Sequence, residues 1–582
     1  MIRNPVFWMI LGFSLIVCGC DIGKDKRTPL EIARSVADKV INESDFSFGL
    51  VPQETVLGMQ VIDFLQNYSY KEDHAAFAHT YLISPADTTV LFGLSSSGPT
   101  QIRLNGDLVT SHPGKIPSQP VEESYNRFAF QKVVPLNLKK GSNDLMIRLA
   151  AGEKEWVFYI RPLSPEGDHE QSIEFSLQPL GIEAPGAPWL CTGPFKADKS
   201  LLPPDKGFQD QYQSQDTIYH WIFPKQGTLR QLKIDDSNSY RRDSYLDWHY
   251  ANGATMWAIL ALGNHSQDEK YSQFVVKYCD FTLAQKYYFQ WQYNYLHAFR
   301  GSFHRLFRRT MLDDTGAPAL PFIELYLQNK QESYRDLILS IARYIQHEQV
   351  RLPDGTLCRP EPVRWTLWAD DLFMSIPFLL RMAKISGDQV YYDETADQIQ
   401  KFYRLLYDTE SGLSYHGWFS PYSNTSPVFW GRANGWMIWA LSEALQFIPD
   451  THDDYQQLLA QFRAHIGGLI RYQDAGGLWH QVLDKPESFL ETSCTAMYTL
   501  ALARGVLNGW LPDSYRLNAL KAWNGLKTKI DRDGTVRDIC RGTGIGDSFD
   551  FYFARQRFDH DPRGLGAVIT ASLEMDKLMR RN

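Results

Sequence analysis

The chain has 582 residues, 44% of them hydrophobic, so it can bury a large core and is too long for one ordinary domain. Its net charge is -8 and it has no long basic run, which excludes nucleic acid as a partner, because phosphate binding needs clustered Lys and Arg. Aromatic residues make up 14% of the chain, a content that suits sugar binding as well as a large core.

The N-terminus is typical of an export signal. An early positive charge precedes an apolar run over residues 6–17, which is short for a membrane span. The following VCGC resembles a bacterial lipoprotein processing box, in which Cys20 carries the lipid. We expect a signal peptide over 1–20, a tether and N-terminal segment over 21–45 and a membrane-anchored protein in the periplasm or at the bacterial cell surface. An uncleaved N-terminal anchor is the alternative.

Short alternating apolar runs separated by turns predict strands over residues 46–185. Asn105-Gly106 is a hairpin signal, and Lys140-Gly141 marks a turn into another strand. We expect an all-β sandwich here, which resembles the jelly-roll accessory domains of glycoside hydrolases. The Pro- and Gly-rich stretch that follows predicts a linker over 186–235.

Long helical periodicity begins at about residue 236 and continues to residue 582. Within it, six segments place small and polar residues directly before an apolar helix, at a spacing that leaves room for a returning helix. They are HYANGATMWAILALG, LDDTGAPALPFIELYLQ, WADDLFMSIPFLLRMAKISGD, GRANGWMIWALSEAL, ETSCTAMYTLALARGV and RGLGAVITASLEM. Six hairpins predict an all-α (α/α)6 toroid, with an open helical solenoid as the alternative. The inner helix N-termini of a toroid line one mouth, which favours a carboxylate ligand.

Two acidic doublets, Asp313-Asp314 and Asp370-Asp371, precede the second and third of these helices. Paired carboxylates suit glycosidase-type chemistry, although helix capping would also explain Asp at these positions. Aromatic and cationic residues lie at the same ends of the units, which indicates a pocket. They include Trp368, His416, Trp430, Arg432, Trp436 and His480. The glycines of RGTGIGD follow no strand, so we interpret them as a turn and not as a phosphate loop.

Several motifs resemble glycoside hydrolase families 88 and 105, the unsaturated glucuronyl and rhamnogalacturonyl hydrolases. They occur in family order over about residues 241–575 and are LDDTGAPA, WADDLFM, SYHGW, FWGRANGW, GLWHQVLDKP, ETSCTAMYTLALARGV and GIGDSFDFYFAR. The resemblance implies the (α/α)6 fold. It also implies hydration of a 4,5-unsaturated terminal uronic acid, the sugar that a polysaccharide lyase leaves at a chain end.

The resemblance also implies roles for individual residues. The catalytic acid falls on Asp370, and the second family aspartate falls on Asp314, with Asp313 possible because the doublet leaves the alignment open by one. Asp371 and the neighbouring tryptophans could raise the pKa of Asp370. His416 and Arg432 match substrate-binding positions, and Arg432 could pair with the uronate carboxylate.

The remaining pocket residues are expected to contact sugar. Trp430 and Trp436 are candidates for stacking on it, with Trp368 and His480 beside them. No metal or organic cofactor is implied.

Two other functions fit the same residues. A dehydratase would run the chemistry in reverse, removing the C5 proton of a saturated uronate and expelling the C4 hydroxyl. A surface glycan-binding lipoprotein could use a catalytically inactive toroid. The sequence does not identify the parent polysaccharide or the sugar next to the uronate.

Overall fold

The computed structural model describes residues 26–52, 58–124, 127–165, 167–184, 187–197, 211–214, 217–225, 227–233, 244–296, 298–361 and 363–581. The expected signal peptide and Cys20, the expected site of lipidation, lie outside these ranges. Within the ranges, no helix is both long and apolar enough to cross a membrane.

Helices dominate the C-terminal part of the chain. In order, they are α1 (Pro29–Asn42), α2 (Tyr250–Ser266), α3 (Glu269–Tyr295), α4 (His304–Arg308), α5 (Gly316–Asn329), α6 (Glu332–Arg343), α7 (Asp371–Ser386), α8 (Val390–Leu406), α9 (Gly431–Phe447), α10 (Tyr455–Ile470), α11 (Thr492–Leu507), α12 (Arg516–Lys527), α13 (Phe549–Phe553) and α14 (Pro562–Arg580).

Six of the described helices form a closed inner ring. Helices α2, α5, α7, α9, α11 and α14 each pack against the next, and α14 packs against α2. The inner helices are buried along most of their length, whereas the outer helices α6 and α8 bury mainly one face. The predicted (α/α)6 toroid is therefore confirmed.

Close packing of the inner ring explains the small residues that precede each apolar run. A Cβ atom on Gly253 would lie 2.3 Å from the Ala317 carbonyl oxygen, and one on Gly316 would lie 2.1 Å from the Met374 carbonyl oxygen. Real Cβ contacts are not this short, so larger residues would push α2, α5 and α7 apart.

Helix α1 supplies the outer partner of α14, so residues 29–42 of the expected tether and N-terminal segment are part of the folded toroid. Its side chains at Ile32, Val36 and Val40 are fully buried in the core of the toroid. Thr28 and Glu31 form a capping box at its start. The ring of hairpins is thus completed by the N-terminal part of the chain.

The region between α1 and α2 is β-rich, with several antiparallel sheets. Its strands are β1 (Phe48–Pro52), β2 (Gln60–Asp63), β3 (His74–Ser84), β4 (Thr88–Ser96), β5 (Thr100–Leu104), β6 (Asp107–His112), β7 (Val121–Ser124), β8 (Arg127–Ala129), β9 (Lys132–Leu138), β10 (Gly141–Ala150), β11 (Val157–Leu163), β12 (Glu174–Ser176), β13 (Leu190–Lys196), β14 (Gln211–Ser214), β15 (Thr217–His220) and β16 (Thr228–Leu232).

Two of these sheets share one apolar core. One contains β12, β3, β10, β5 and β6 with β13 also paired to β3, and the other contains β2, β11, β4 and β9. Strand β13 falls within the predicted linker, and β16 of the same stretch pairs with β1. Within the stretch predicted as a linker, Leu190–Lys196 and Thr228–Leu232 are therefore paired with strands outside it.

Short strands within the toroid connect its helices at one end. They are β17 (Thr366–Trp368), β18 (Tyr407–Asp408), β19 (Leu413–Ser414), β20 (Gly417–Phe419), β21 (Asn424–Thr425), β22 (Trp479–His480), β23 (Leu490–Glu491), β24 (Ile539–Cys540) and β25 (Arg557–Phe558). Strands β17, β20 and β21 form one small sheet, which positions two of the predicted site residues.

Candidate functional site

A cavity of about 570 Å³ opens where several inner helices begin. Acidic, basic and aromatic side chains line it together. The lining residues are Asp168, His169, Gln171, His249, Tyr250, Arg305, Arg308, Met311, Asp313, Asp314, Arg359, Trp368, Asp370, Trp430, Arg541, Gly542, Thr543, Gly544 and Arg563.

Asp370 is brought to this cavity by the small sheet beside α7. Trp368 pairs with Gly417 across β17 and β20, and the Ala369 N–H donates to the His416 carbonyl oxygen over 2.9 Å. This pairing sets Asp370 beside His416, whose Nε2 lies 3.0 Å from Asp370 Oδ2. The Asp370 side chain does not cap α7, so helix capping does not explain it.

A hydrogen-bonded chain extends behind Asp370. His416 is fully buried, and its Nδ1 lies 2.9 Å from Tyr552 Oη. Tyr552 Oη in turn accepts from the Gly546 N–H over 3.0 Å. Burial raises the pKa of Tyr552, so its hydroxyl stays protonated and can donate to Nδ1. The other ring nitrogen of His416, Nε2, faces Asp370.

The pKa of Asp370 is lowered, contrary to the sequence-based expectation. Burial alone would raise this pKa, but His416, Arg359 and Arg432 stabilise the carboxylate and outweigh burial. In the unliganded protein Asp370 is therefore held as a carboxylate at neutral pH.

Arg359 holds the other carboxylates in place. Its Nη2 lies 2.7 Å from both Asp371 Oδ1 and Asp313 Oδ1, and its Nε lies 3.0 Å from Asp371 Oδ2. Burial raises the pKa of Asp371 and of Asp313, with Arg359 opposing it and the neighbouring carboxylates adding to it. Asp371 is fully buried, whereas the Asp313 side chain is 24% exposed toward the cavity.

The two residues of the first doublet occupy different environments. Asp314 is 1% exposed, and its Oδ2 accepts from Arg308 Nη2 over 2.7 Å. Asp313 shares Arg359 with Asp371, and the nearby charge of Asp370 adds to the rise in the pKa of Asp313 that burial causes. Both residues line the cavity, but Asp313 is the one that shares an arginine with Asp371.

Arg432 lies behind the cavity wall and is not placed to pair with a substrate carboxylate. It is 1% exposed, and its guanidinium donates to the carbonyl oxygens of Cys540 and Arg541 and lies 4.6 Å from the Trp430 ring centroid. The prediction of a direct ion pair with substrate therefore needs correction. Arg432 instead fixes Trp430 and the backbone before the glycine-rich loop.

Two other predicted contacts also lie away from the cavity lining. Trp436 is 1% exposed and packs on Phe373 and Trp439, so it fills the core below the site. His480 Nδ1 bonds to the Ser488 carbonyl oxygen over 2.6 Å. By contrast, Trp368 and Trp430 do line the cavity, as predicted.

The sequence-based interpretation missed most of the cavity's cations. They are Arg305, Arg308, Arg359, Arg541 and Arg563. Arg305 and Arg308 lie on the short helix α4 and Arg359 and Arg541 lie on loops, whereas Arg563 is in the first turn of the inner helix α14. A signal for Arg541 was nonetheless present, because it begins the RGTGIGD loop. A Cβ atom on Gly546 would lie 2.1 Å from Phe551 Cδ1, so glycine lets this loop pack tightly at the cavity edge.

Arg541 differs from the other arginines of the cavity. Arg305, Arg308, Arg359 and Arg563 each have an acidic partner within 4.0 Å. Among the described residues, the Arg541 side chain has no such partner. Within the same ranges, no group of three or more His, Cys, Asp or Glu is arranged to hold a metal ion.

Curated proteins similar to this chain include two bacterial hydrolases. The unsaturated rhamnogalacturonyl hydrolase YesR of Bacillus subtilis (strain 168) is 31% identical over 222 residues, which is 36% of this chain and 62% of that protein. The unsaturated 3S-rhamnoglycuronyl hydrolase of Alteromonas sp. (strain LOR) is 31% identical over 219 residues, which is 37% of this chain and 51% of that protein. The matches thus span between half and two thirds of these relatives.

Solved structures and a family match cover the toroid. A family 105 glycoside hydrolase of C. acetobutylicum ATCC 824 has a TM-score of 0.50 at 26% identity, over 57% of this chain and 94% of that one. A possible member of family 105 from Salmonella enterica has a TM-score of 0.52 at 22% identity, over 60% of this chain and 87% of that one. Residues 228–579 match the family described as Glycosyl Hydrolase Family 88. Because this match spans more than half of the sequence, the chain belongs to glycosyl hydrolase family 88.

Proposed function

We propose that the protein removes a terminal 4,5-unsaturated uronic acid from oligosaccharides that a polysaccharide lyase has produced. The observation that carries this proposal is Asp370, held by His416 at the wall of a cavity rich in arginine. Family membership and the names of the two curated relatives support the same substrate class.

In the proposed reaction Asp370 first donates a proton to C4 of the vinyl ether, and water then adds at C5. The carboxylate takes the proton that the attacking water loses, so Asp370 ends in its starting state. The C5 hemiketal opens, and the hemiacetal left at C1 releases the partner sugar. One group serves as acid and then as base, as general acid–base catalysis allows.

Substrate binding would prepare Asp370 for its first step. In the unliganded cavity the pKa of Asp370 lies below its usual value. A uronate carboxylate bound nearby would raise that pKa, since a second negative charge disfavours ionisation. Proton uptake by Asp370 is therefore coupled to binding of an anionic sugar.

Arg541 is the residue we propose to bind the uronate carboxylate. Its guanidinium can donate two parallel hydrogen bonds, and it has no acidic partner among the described residues. Arg555 lies close enough to repel it, so an anion would be attracted to this end of the cavity. This contact replaces the one first expected for Arg432.

The decisive experiment follows the absorbance of the conjugated enol ether with lyase-treated and with saturated oligosaccharides. The proposal expects absorbance to fall with the first set, and Asp370→Asn to abolish the change. Absorbance that rises with the saturated set would identify a dehydratase instead. Binding of either set without a change in absorbance would identify a glycan-binding protein.

We also propose that Cys20 carries a lipid and that the β-rich region forms a jelly-roll-like sandwich. A lipid on Cys20 would hold the enzyme at a bacterial membrane, facing oligosaccharides outside the cytoplasm. Incorporation of labelled palmitate into the wild type but not into Cys20→Ala would support the anchor. Equal labelling of both would contradict it.

A further inference from the structure

One wall of the cavity comes from the β-rich region and lies outside the part of the chain that matches the family. Asp168, His169 and Gln171 line the same cavity as Asp370, whereas the family match covers residues 228–579. The toroid alone therefore does not complete this cavity.

Backbone contacts to β11 hold this wall in position. His169 forms a bridge with Leu163 at the end of the strand, and the Ser164 N–H donates to the Asp168 carbonyl oxygen over 2.8 Å. The Glu170 N–H donates to the Pro162 carbonyl oxygen over 3.1 Å. These bonds hold the backbone that carries Asp168 and His169, as a binding surface requires.

The β-rich region is itself attached to the toroid by aromatic packing. Phe128 lies 5.5 Å from Phe299, measured between ring centroids, and Met59 joins them in a small apolar cluster. The Arg161 guanidinium, on the same strand as Leu163, lies 5.2 Å from the Phe128 centroid. The wall is thus held by contacts that continue from β11 into the toroid.

The three side chains lie at the outer part of the cavity. His169 and Gln171 are exposed, whereas the Asp370 side chain is 14% exposed and its partner His416 is fully buried. The terminal uronate must reach Asp370, so the sugar next to it lies closer to the mouth. His169 and Gln171 are therefore placed to meet that second sugar.

We propose that Asp168, His169 and Gln171 bind the sugar next to the terminal uronate and favour an uncharged sugar there. This proposal rests on the proposed function and names a further specificity element of the same site. Imidazole, amide and carboxylate groups together supply donors and acceptors for sugar hydroxyls.

The charge at this wall supports the preference for an uncharged sugar. Partial burial of the ring, together with the nearby Arg161 and Arg300, lowers the pKa of His169 and outweighs Glu170, which raises it, so the imidazole is uncharged at neutral pH. Arg161 and Arg300 do not line the cavity, whereas Asp168 does, so its carboxylate is the charge of this wall that faces a sulfate or a carboxylate on the second sugar. Arg127 pairs with Asp168 at 3.3 Å, but both side chains are more than a third exposed, and solvent weakens the pair.

The first test compares two substrates that share the same unsaturated uronate. In one the uronate is linked to a methyl group, and in the other it is linked to an uncharged second sugar. The double variant His169→Ala/Gln171→Ala is expected to lower kcat/KM for the disaccharide by about tenfold, mainly through KM, as loss of two neutral hydrogen bonds implies. The methyl glycoside should be turned over as by the wild type. Glu174→Gln, exposed on nearby β12, is the matched control and should leave both substrates unchanged.

Equal losses on both substrates, or no loss on the disaccharide, would overturn the proposal. A second variant, Asp168→Asn, tests the charge preference with a disaccharide whose second sugar is sulfated. Its kcat/KM for that disaccharide should rise by about threefold or more, because a repulsive charge is removed. An unchanged or lower value would overturn the preference for an uncharged sugar.

Failure of the proposed function gives a different pattern. If the wild type hydrates neither substrate, the proposed function is wrong. The proposal that the wall binds the second sugar can then still be tested directly. Calorimetric titration with the saturated disaccharide then decides. Binding by the wild type that the double variant weakens supports the wall, whereas unaltered or undetectable binding overturns it.

Discussion

Three carboxylates converge on one arginine at the candidate site, and their surroundings separate their roles. Arg359 contacts Asp371 and Asp313 directly, while Asp370 is bonded to His416. The pKa is raised for the first two and lowered for Asp370. Asp370 is therefore the one of the three whose pKa is lowered, and its partner His416 can orient it.

Removing His416 should slow the reaction and shift its pH dependence. His416→Ala takes away a group that lowers the pKa of Asp370, so that pKa should rise. If protonated Asp370 is the acid, kcat/KM falls as pH rises through this pKa, and the alkaline limb should move to higher pH. The maximal rate should fall by up to about 100-fold, the cost of misplacing a catalytic group by about 1 Å.

The pH profile of kcat/KM checks this expectation, with His347→Ala as the control. His347 is exposed and lies in the helical turn that follows the outer helix α6. Its substitution should leave the pH profile unchanged. A limb that moves to lower pH in His416→Ala would contradict the assignment of Asp370 as the acid.

Arg541 offers a test of substrate binding that is independent of the acid. Arg541→Ala should raise KM by about tenfold or more, because a charged hydrogen bond contributes about 1.5–3 kcal/mol. Arg541→Lys should recover only part of this loss, since an ammonium cannot make the two parallel bonds of a guanidinium. Steady-state kinetics on the unsaturated disaccharide measures both effects.

The exposed Arg532 supplies the control, because Arg532→Ala removes the same side chain away from the cavity. A normal KM in Arg541→Ala would show that another group binds the carboxylate.

The sequence could place residues at the mouth of the toroid but not orient them. Asp370, Trp368 and Trp430 follow from their positions before the inner helices, and the structure sets all three at the cavity. Arg432 and Trp436 begin the same helix α9 but face buried neighbours. Helical periodicity does not fix which face meets the cavity when every face of the helix is buried.

At the scale of elements, α1 is a helix that could be predicted from the sequence although its packing partner could not. Its apolar residues at Ile32, Val36 and Val40 recur every four positions after a Thr28 capping box, so a helix was readable. In the other hairpins the outer helix directly follows its inner partner along the chain. By contrast, α1 is the first of the described helices and its partner α14 is the last. A local pattern cannot reveal that pairing, because it depends on closure of the ring.

Truncating the buried face of α1 should destabilise the toroid. Ile32→Ala should lower the free energy of unfolding by about 2–5 kcal/mol, since it leaves a cavity between α1 and the core. Thermal or urea unfolding of the toroid measures the change, and Asn42→Ala at the exposed end of the same helix is the control. A stability equal to that of the control would mean that α1 does not close the ring.

At the scale of the whole molecule, a network of charges joins the inner helices at the end of the ring opposite the cavity. Glu443 of α9 pairs with Arg381 of α7 at 2.9 Å and with Arg504 of α11 at 2.6 Å. Arg381 also pairs with Glu324 of α5, and Arg504 pairs with Glu574 of α14. Trp257 Nε1 of α2 donates to Glu324 over 3.1 Å, so every inner helix takes part.

Glu443 lies at the centre of this network and should govern the acid stability of the ring. Burial alone would raise the pKa of Glu443, but Arg504 and Arg381 outweigh it and lower the pKa below 4.5. Because the folded pKa is lower than the unfolded one, the network stabilises the fold fully above about 4.5 and loses this contribution as pH falls through the folded pKa. Glu443→Gln removes the negative charge that pairs with the buried Arg381 and Arg504. It should therefore lower the free energy of unfolding by about 3–5 kcal/mol at pH 7.

Calorimetry at pH 7 and at pH values below 4 measures both parts of this prediction. The Tm difference between wild type and Glu443→Gln should be large at pH 7 and should narrow in acid, where the wild-type carboxylate also takes up a proton. Glu410→Gln, an exposed change of the same kind, should alter Tm little at either pH. A difference that stays constant with pH would show that Glu443 stabilises the ring by packing and not by its charge.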